Sequence, residues 1–105
     1  MTPETDPDRI IALLDLSPHP EGGWYRQTWE ADAEDGARPA GTCIWFLLEP
    51  GGRSHWHRVD AAEIWHFYAG TPVTLSIAGG DGGPVTDHRL GPDLLAGERP
   101  QVLVP

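Results

Sequence analysis

The sequence predicts an all-β chain, an antiparallel sandwich or jelly roll, on three observations. Seven short segments either alternate apolar with polar side chains or run apolar throughout: 24–29, 42–48, 54–59, 63–68, 73–77, 85–90 and 101–104. Turn residues separate them, drawn from 13 glycines and 11 prolines, and such residues let a chain reverse at little steric cost. Only one stretch, near the N-terminus, spaces its apolar residues as a helix would.

That stretch follows an acidic, frayed arm at 2–7. Asp6-Pro7 reads as an N-cap followed by proline in the first turn, and Ile10, Ile11, Leu13 and Leu14 form an apolar stripe that Ser17-Pro18 ends. The helix is expected to pack on the outside of a sheet. His19-Pro20-Glu21-Gly22-Gly23 is a tight loop leading into the strand Trp24–Trp29. Glu21 there can serve as a general base or, the better fit to a Gly-rich turn, accept loop amides. A polar loop, EADAEDGARP at 30–39, precedes the apolar run Thr42–Leu48, which suits a central strand covered on both faces. Cys43 in that run reads as a small buried hydrophobe rather than a nucleophile. Val73–Ile77 and Val85–Leu90 flank the hairpin-type loop Gly79-Gly80-Asp81-Gly82-Gly83, a loop or single turn spans Leu90–Arg99, and Gln101–Val104 closes the series.

Chemistry concentrates between Gly51 and Gly70, GGRSHWHRVDAAEIWHFYAG. In extended chain, successive side chains point to opposite faces. His55 and His57 then share a face, as do Glu63, Trp65 and Phe67, while Ile64, His66 and Tyr68 take the other side. If the two halves pair as a hairpin or lie in facing sheets, His55, His57 and Glu63 converge inside an aromatic wall. Two imidazoles and a carboxylate are a common ligand set for Zn, Mn, Fe or Ni. The same pattern also suits two half-buried histidines bonded to backbone carbonyls, or an acid/base pair without a metal.

Gly52, His55, His57, Glu63 and Gly70, at those spacings, resemble the first motif of the cupin superfamily, in which two histidines and a glutamate of a small barrel hold a divalent metal. HPEGGWYRQTW (His19–Trp29), IWFLL (Ile44–Leu48), SHWHR (Ser54–Arg58), EIWHFYAG (Glu63–Gly70) and GERPQVLVP (Gly97–Pro105) are similar, in the same order, to the cupin family called DUF985, or cupin 5. The resemblance implies a cupin-like double-stranded β-helix, a jelly-roll barrel with a short N-terminal helix, as a single domain over 1–105. It also implies that the positions matching His57, Glu63 and His66 recur, while the one matching His55 varies. The second cupin motif, which supplies a fourth ligand, would begin at Pro105. The barrel is therefore expected to be truncated at its C-terminus, closed more briefly, or completed by a partner, and a homodimer is expected.

Composition narrows the function. Sixteen acidic against seven basic residues give a formal charge of −9 and a pI near 4.7, a field that repels phosphate backbones and anionic lipid. Nucleic-acid and membrane partners are disfavoured. One cysteine excludes an internal disulfide, and the sequence shows neither a signal peptide nor an apolar run of about 20 residues, so the cytoplasm is expected. Three functions stay open. The first is a small-molecule-binding cupin enzyme acting on a small polar substrate, a sugar or carboxylate. His57 and Glu63 would be catalytic, His55, His57 and Glu63 metal-ligating, and Trp24, Ser54, Trp65, His66 and Phe67 ligand-binding. The second is a metal-free isomerase similar to the nucleotide-sugar epimerases that share the barrel, with His57 as base and Tyr25 or Tyr68 as acid. The third is a binding or storage module without turnover.

Overall fold

The computed structural model describes residues 4–80 and 82–105. Thr2 and Pro3 of the acidic arm and Asp81 of the Gly-rich hairpin loop lie outside them. Two compact units divide the chain, one reaching to His57 and the other running from Arg58 to Pro105.

In the first unit, α1 spans Pro7–Leu14 as the capping signals require. The Asp6 carboxylate accepts the Asp8 N–H, proline sits in the first turn, and Asp15 ends the helix in the left-handed conformation at φ 55°, its N–H on the Ile11 carbonyl. Ile10, Ile11 and Leu14 are half-buried, whereas Leu13 is exposed. The helix is tied to the strands by Arg26, whose guanidinium donates to the Leu14 carbonyl at 3.4 Å, a cation at the negative end of the helix.

Three strands follow: β1 (Ser17–Pro18), β2 (Trp24–Glu30) and β3 (Thr42–Leu47), in the order β1-β2-β3 and antiparallel. Ser17-Pro18, expected only to stop the helix, returns as a two-residue strand beside Tyr25 and Trp24. A register shift between Gln27 and Trp29 bulges β2, and the Thr28 hydroxyl bonds the Cys43 carbonyl at 3.3 Å. Two expectations are corrected here. β3 lies at the edge of this sheet rather than its centre, and Cys43 is exposed rather than buried. An apolar run thus marks a strand without telling which side of the sheet is covered.

In the second unit, β4 (Glu63–His66) pairs antiparallel with β7 (Gln101–Val104), and β5 (Val73–Ala78) forms a hairpin with β6 (Val85–Leu90). Leu90 and Val102 are its buried hydrophobic side chains among the described residues; Leu16 is that of the first unit. Between β6 and β7 a 3₁₀ turn at Leu94–Ala96 is organised by a buried carboxylate. Glu98, 7% exposed, accepts the Asp93 N–H at 3.0 Å and lies 3.7 Å from Arg89. A Cβ at Gly91 would stand 2.5 Å from the Glu98 carboxylate, which would have to shift to admit it. Removing that acceptor would cost about 1–3 kcal/mol, the usual desolvation penalty of an orphaned amide.

The largest correction concerns the segment 54–59. It is not a strand, and no hairpin joins it to β4, whose partner is β7.

Candidate functional site

The loop 19–23 is held from three sides within the first unit. The His19 N–H bonds the Gly23 carbonyl at 2.8 Å and the Gly22 N–H bonds the His19 carbonyl at 3.0 Å, closing the turn. The Glu21 N–H donates to His19 Nδ1 at 3.0 Å, and the Glu21 carbonyl accepts the His55 N–H at 2.7 Å. Neither bond uses the Glu21 carboxylate, and the Gly22 N–H goes to the His19 carbonyl, so it is the Glu21 backbone rather than its expected side-chain acceptor that ties the loop. Both glycines have positive φ, 111° at Gly22 and 81° at Gly23. A Cβ at Gly22 would collide with the Arg53 carbonyl, and one at Gly23 would stand 2.8 Å from the Phe46 ring. The His-Pro-Glu-Gly-Gly sequence is therefore the composition this close approach demands.

The His19 ring lies edge-on against Tyr25, 4.7 Å between centroids at 73°, and against Phe46, 5.5 Å at 82°. Tyr25 and Phe46 are direct cross-strand partners, so they share one face of the sheet. Trp24, paired with Leu47, takes the other face, where its indole N–H donates to the Glu49 carboxylate at 2.7 Å. Trp24 and Tyr25 thus line opposite sides of β2.

His57 has a distinct arrangement. Its Nδ1 lies 2.7 Å from the His55 carbonyl oxygen. A carbonyl can only accept, so Nδ1 carries the proton and, in the neutral ring, Nε2 keeps its lone pair. His19 has the opposite tautomer: a backbone N–H can only donate, so Nδ1 is bare and Nε2 carries the proton. Ser54 is half-buried, while His55 and His57 are exposed.

In the second unit, strand parity separates the other named residues. Glu63 and Trp65 stand opposite Val104 and Val102, on the face that contains the buried Val102. Ile64 and His66 stand opposite Leu103 and Gln101, on the open face. An open groove of about 420 Å³ is lined by His66, Phe67, Tyr68, Arg99, Pro100 and Gln101; the His66 and Tyr68 rings stack at 6.5 Å and 10°. Glu63 and His66 therefore serve opposite faces of β4. Arg99, absent from the sequence expectations, spends its guanidinium partly on the carbonyls of Leu94 and Glu98, at 3.3 and 2.7 Å.

Residues 8–105 match the family model described as Cupin superfamily (DUF985). The chain belongs to this family, Cupin_5. Among solved structures, the Cupin_5 chain is similar to a protein from Shewanella oneidensis, with a TM-score of 0.87 and 43% identity, covering 97% of this chain and 65% of that one. It is also similar to a hypothetical protein from Leishmania major, with a TM-score of 0.80 and 32% identity, covering 93% and 64%. The Cupin_5 chain thus spans a little under two thirds of either relative. Among curated proteins none matches it.

The all-β cupin fold implied by the sequence motifs is accordingly the fold of this Cupin_5 chain, with its short N-terminal helix. No helix among the described residues is long and apolar enough to cross a membrane. Of the metal ligands expected, His55 and His57 belong to one unit and Glu63 to the other. Among the described residues no three His, Cys, Asp or Glu side chains gather as a metal's ligands. His57 passes a chemical test of fit, since a metal-bound imidazole nitrogen needs its other nitrogen protonated and bonded to an acceptor. His19 fails it as long as Glu21 donates to its Nδ1. The importance of His19 was missed in the sequence, although a signal existed: a polar ring two residues ahead of a turn amide can accept from it, as Asx side chains do.

Proposed function

We propose that this Cupin_5 domain binds a small polar molecule, a sugar or a carboxylate, and acts on it as an enzyme through His57. The supporting observation is the 2.7 Å bond from His57 Nδ1–H to the His55 carbonyl, which fixes the ring with Nε2 as an electron-pair donor. A base in that state removes a proton from carbon beside a carbonyl, and the Tyr25 hydroxyl returns one. His19 against the Tyr25 ring limits how that ring can turn.

The lone pair that accepts a proton also suits a divalent Zn, Mn, Fe or Ni ion, with His55 as a further ligand; such an ion would polarise the substrate carbonyl. Ser54 offers a hydroxyl three residues before His57, while His66 and Phe67 line the separate open groove beside β4. A homodimer and a cytoplasmic location belong to the same proposal. The dimer is supported by the open face of β4–β7, where the cross-strand partners Ile64 and Leu103 are both exposed; sedimentation equilibrium would show twice the 11.5 kDa chain mass.

Deuterium exchange tests the reaction. In D2O the protein should introduce solvent deuterium beside the carbonyl of keto sugars such as D-fructose faster than buffer does. Absence of exchange across a panel of keto sugars that stabilise the protein against heat would leave only a storage role. Mass spectrometry of untagged protein tests the ion: protein that is metal-free and refuses added Zn, Mn, Fe and Ni removes the metal-dependent form.

A further inference from the structure

We infer that the loop 19–23 is a ligand subsite in its own right, in which His19 Nε2–H donates to a carbonyl or hydroxyl oxygen of a neutral polyhydroxylated ligand while the Glu21 carboxylate accepts from a neighbouring hydroxyl. This rests on the small-molecule reading above and narrows it from sugars or carboxylates to neutral sugars.

The donor is fixed by the backbone. Because the Glu21 N–H occupies Nδ1 at 3.0 Å, the neutral ring presents a proton at Nε2. Among the described residues no hydrogen bond engages that N–H, and none of their buried side-chain nitrogens or oxygens lacks a partner. The N–H is therefore open to solvent or ligand. The ring cannot swing away freely, since Tyr25 and Phe46 hold it edge-on at 4.7 and 5.5 Å and the turn closes around it with 2.8 and 3.0 Å backbone bonds. A fixed, uncharged donor costs little reorganisation when it meets an acceptor oxygen.

The acceptor belongs to the same closed turn. Glu21, a half-buried residue, commits its N–H and C=O to the scaffold and keeps a carboxylate that neither bond uses. A donor and an acceptor two residues apart on one closed turn suit neighbouring oxygens of a sugar, one accepting and one donating. They mismatch a carboxylate or phosphate, which Glu21 would repel within a chain of formal charge −9. Aromatic rings at Tyr25 and Phe46 offer apolar surface for sugar C–H groups. The His55 N–H bond to Glu21 at 2.7 Å ties this loop to the segment that carries His57, so both tautomers, bare Nε2 at 57 and protonated Nε2 at 19, belong to one stretch of packed backbone.

Long-range ¹H–¹⁵N spectra of the histidine rings, recorded at about pH 8.5 where ordinary imidazoles are neutral, give the test. His19 should show the Nε2–H tautomer, and D-fructose should shift its signals while glycolate at equal concentration should not. In the variant His19→Asn the side-chain oxygen can still accept the Glu21 N–H and hold the turn, but the Nε2 donor is gone; D-fructose affinity should fall about tenfold, one hydrogen bond's worth, at unchanged melting temperature. An Nδ1–H tautomer at His19, no response to D-fructose, an equal or larger response to glycolate, or wild-type affinity in His19→Asn would each overturn the proposal. His57→Ala keeps its fate separate from that of the His57 centre. If D-fructose still shifts His19 in His57→Ala, the subsite stands without the centre. Loss of binding in His57→Ala but not in His19→Asn leaves the centre standing and reduces His19 to a loop support.

Discussion

Gly22→Ala is expected to destabilise the protein by about 3–5 kcal/mol, the sum of a strained backbone and an over-packed contact that cannot relax. At φ 111° a residue with a Cβ is strained wherever it sits. Here the Cβ would also meet the Arg53 carbonyl oxygen, which is backbone and has no rotamer to yield. Relief would require the loop to leave the 53–55 segment and so give up the 2.7 Å bond between the His55 N–H and Glu21. A melting point more than about 12 °C below wild type should follow for a domain of this size. Gly51→Ala is the control: its φ is 77°, but nothing lies within 4 Å of the added Cβ, so only strain of about 1–2 kcal/mol applies. Equal melting points for the two variants would show that the close approach to Arg53 carries no weight.

His57→Ala is expected to reduce deuterium exchange into a keto sugar by at least about 100-fold, the lower end of what a positioned general base contributes. The fold should survive, because His57 is exposed and, among the described residues, its ring bonds only the carbonyl two residues back. His55→Ala separates the two forms of the proposed chemistry. The His55 carbonyl, not its ring, orients His57, so proton transfer should fall far less than in His57→Ala. If an ion is bound, both substitutions should instead lose it together, since each removes a ligand. Wild-type exchange in His57→Ala would dismiss the histidine as a base.

Much of the local structure is legible in the residues. Asp6-Pro7 announces the start of α1 because capping and a fixed φ are local effects, and the glycines between Ile77 and Val85 announce the β5–β6 hairpin for the same reason. What could not be read are facts about partners far along the chain. The segment 54–59 has strand composition, yet His55 donates to a loop carbonyl at Glu21 instead of a ladder. β4 finds its partner in β7 rather than next door, and β3, apolar enough for a central strand, lies at an edge.

Of the site, Glu63 with Trp65 on one face of β4 and His66 on the other follow from period-two parity alone. The histidine tautomers do not follow from any pattern. They are set by whether Nδ1 meets a carbonyl, as at His57, or an amide, as at His19, and that depends on how two irregular loops lie together.

The central claim is that His57 offers an unprotonated Nε2. A long-range ¹H–¹⁵N spectrum of the neutral protein reads this without any ligand. The prediction is a proton on His57 Nδ1 and none on Nε2, beside the reverse pattern at His19. A His57 ring protonated at Nε2, or exchanging between tautomers as a free side chain does, would contradict it.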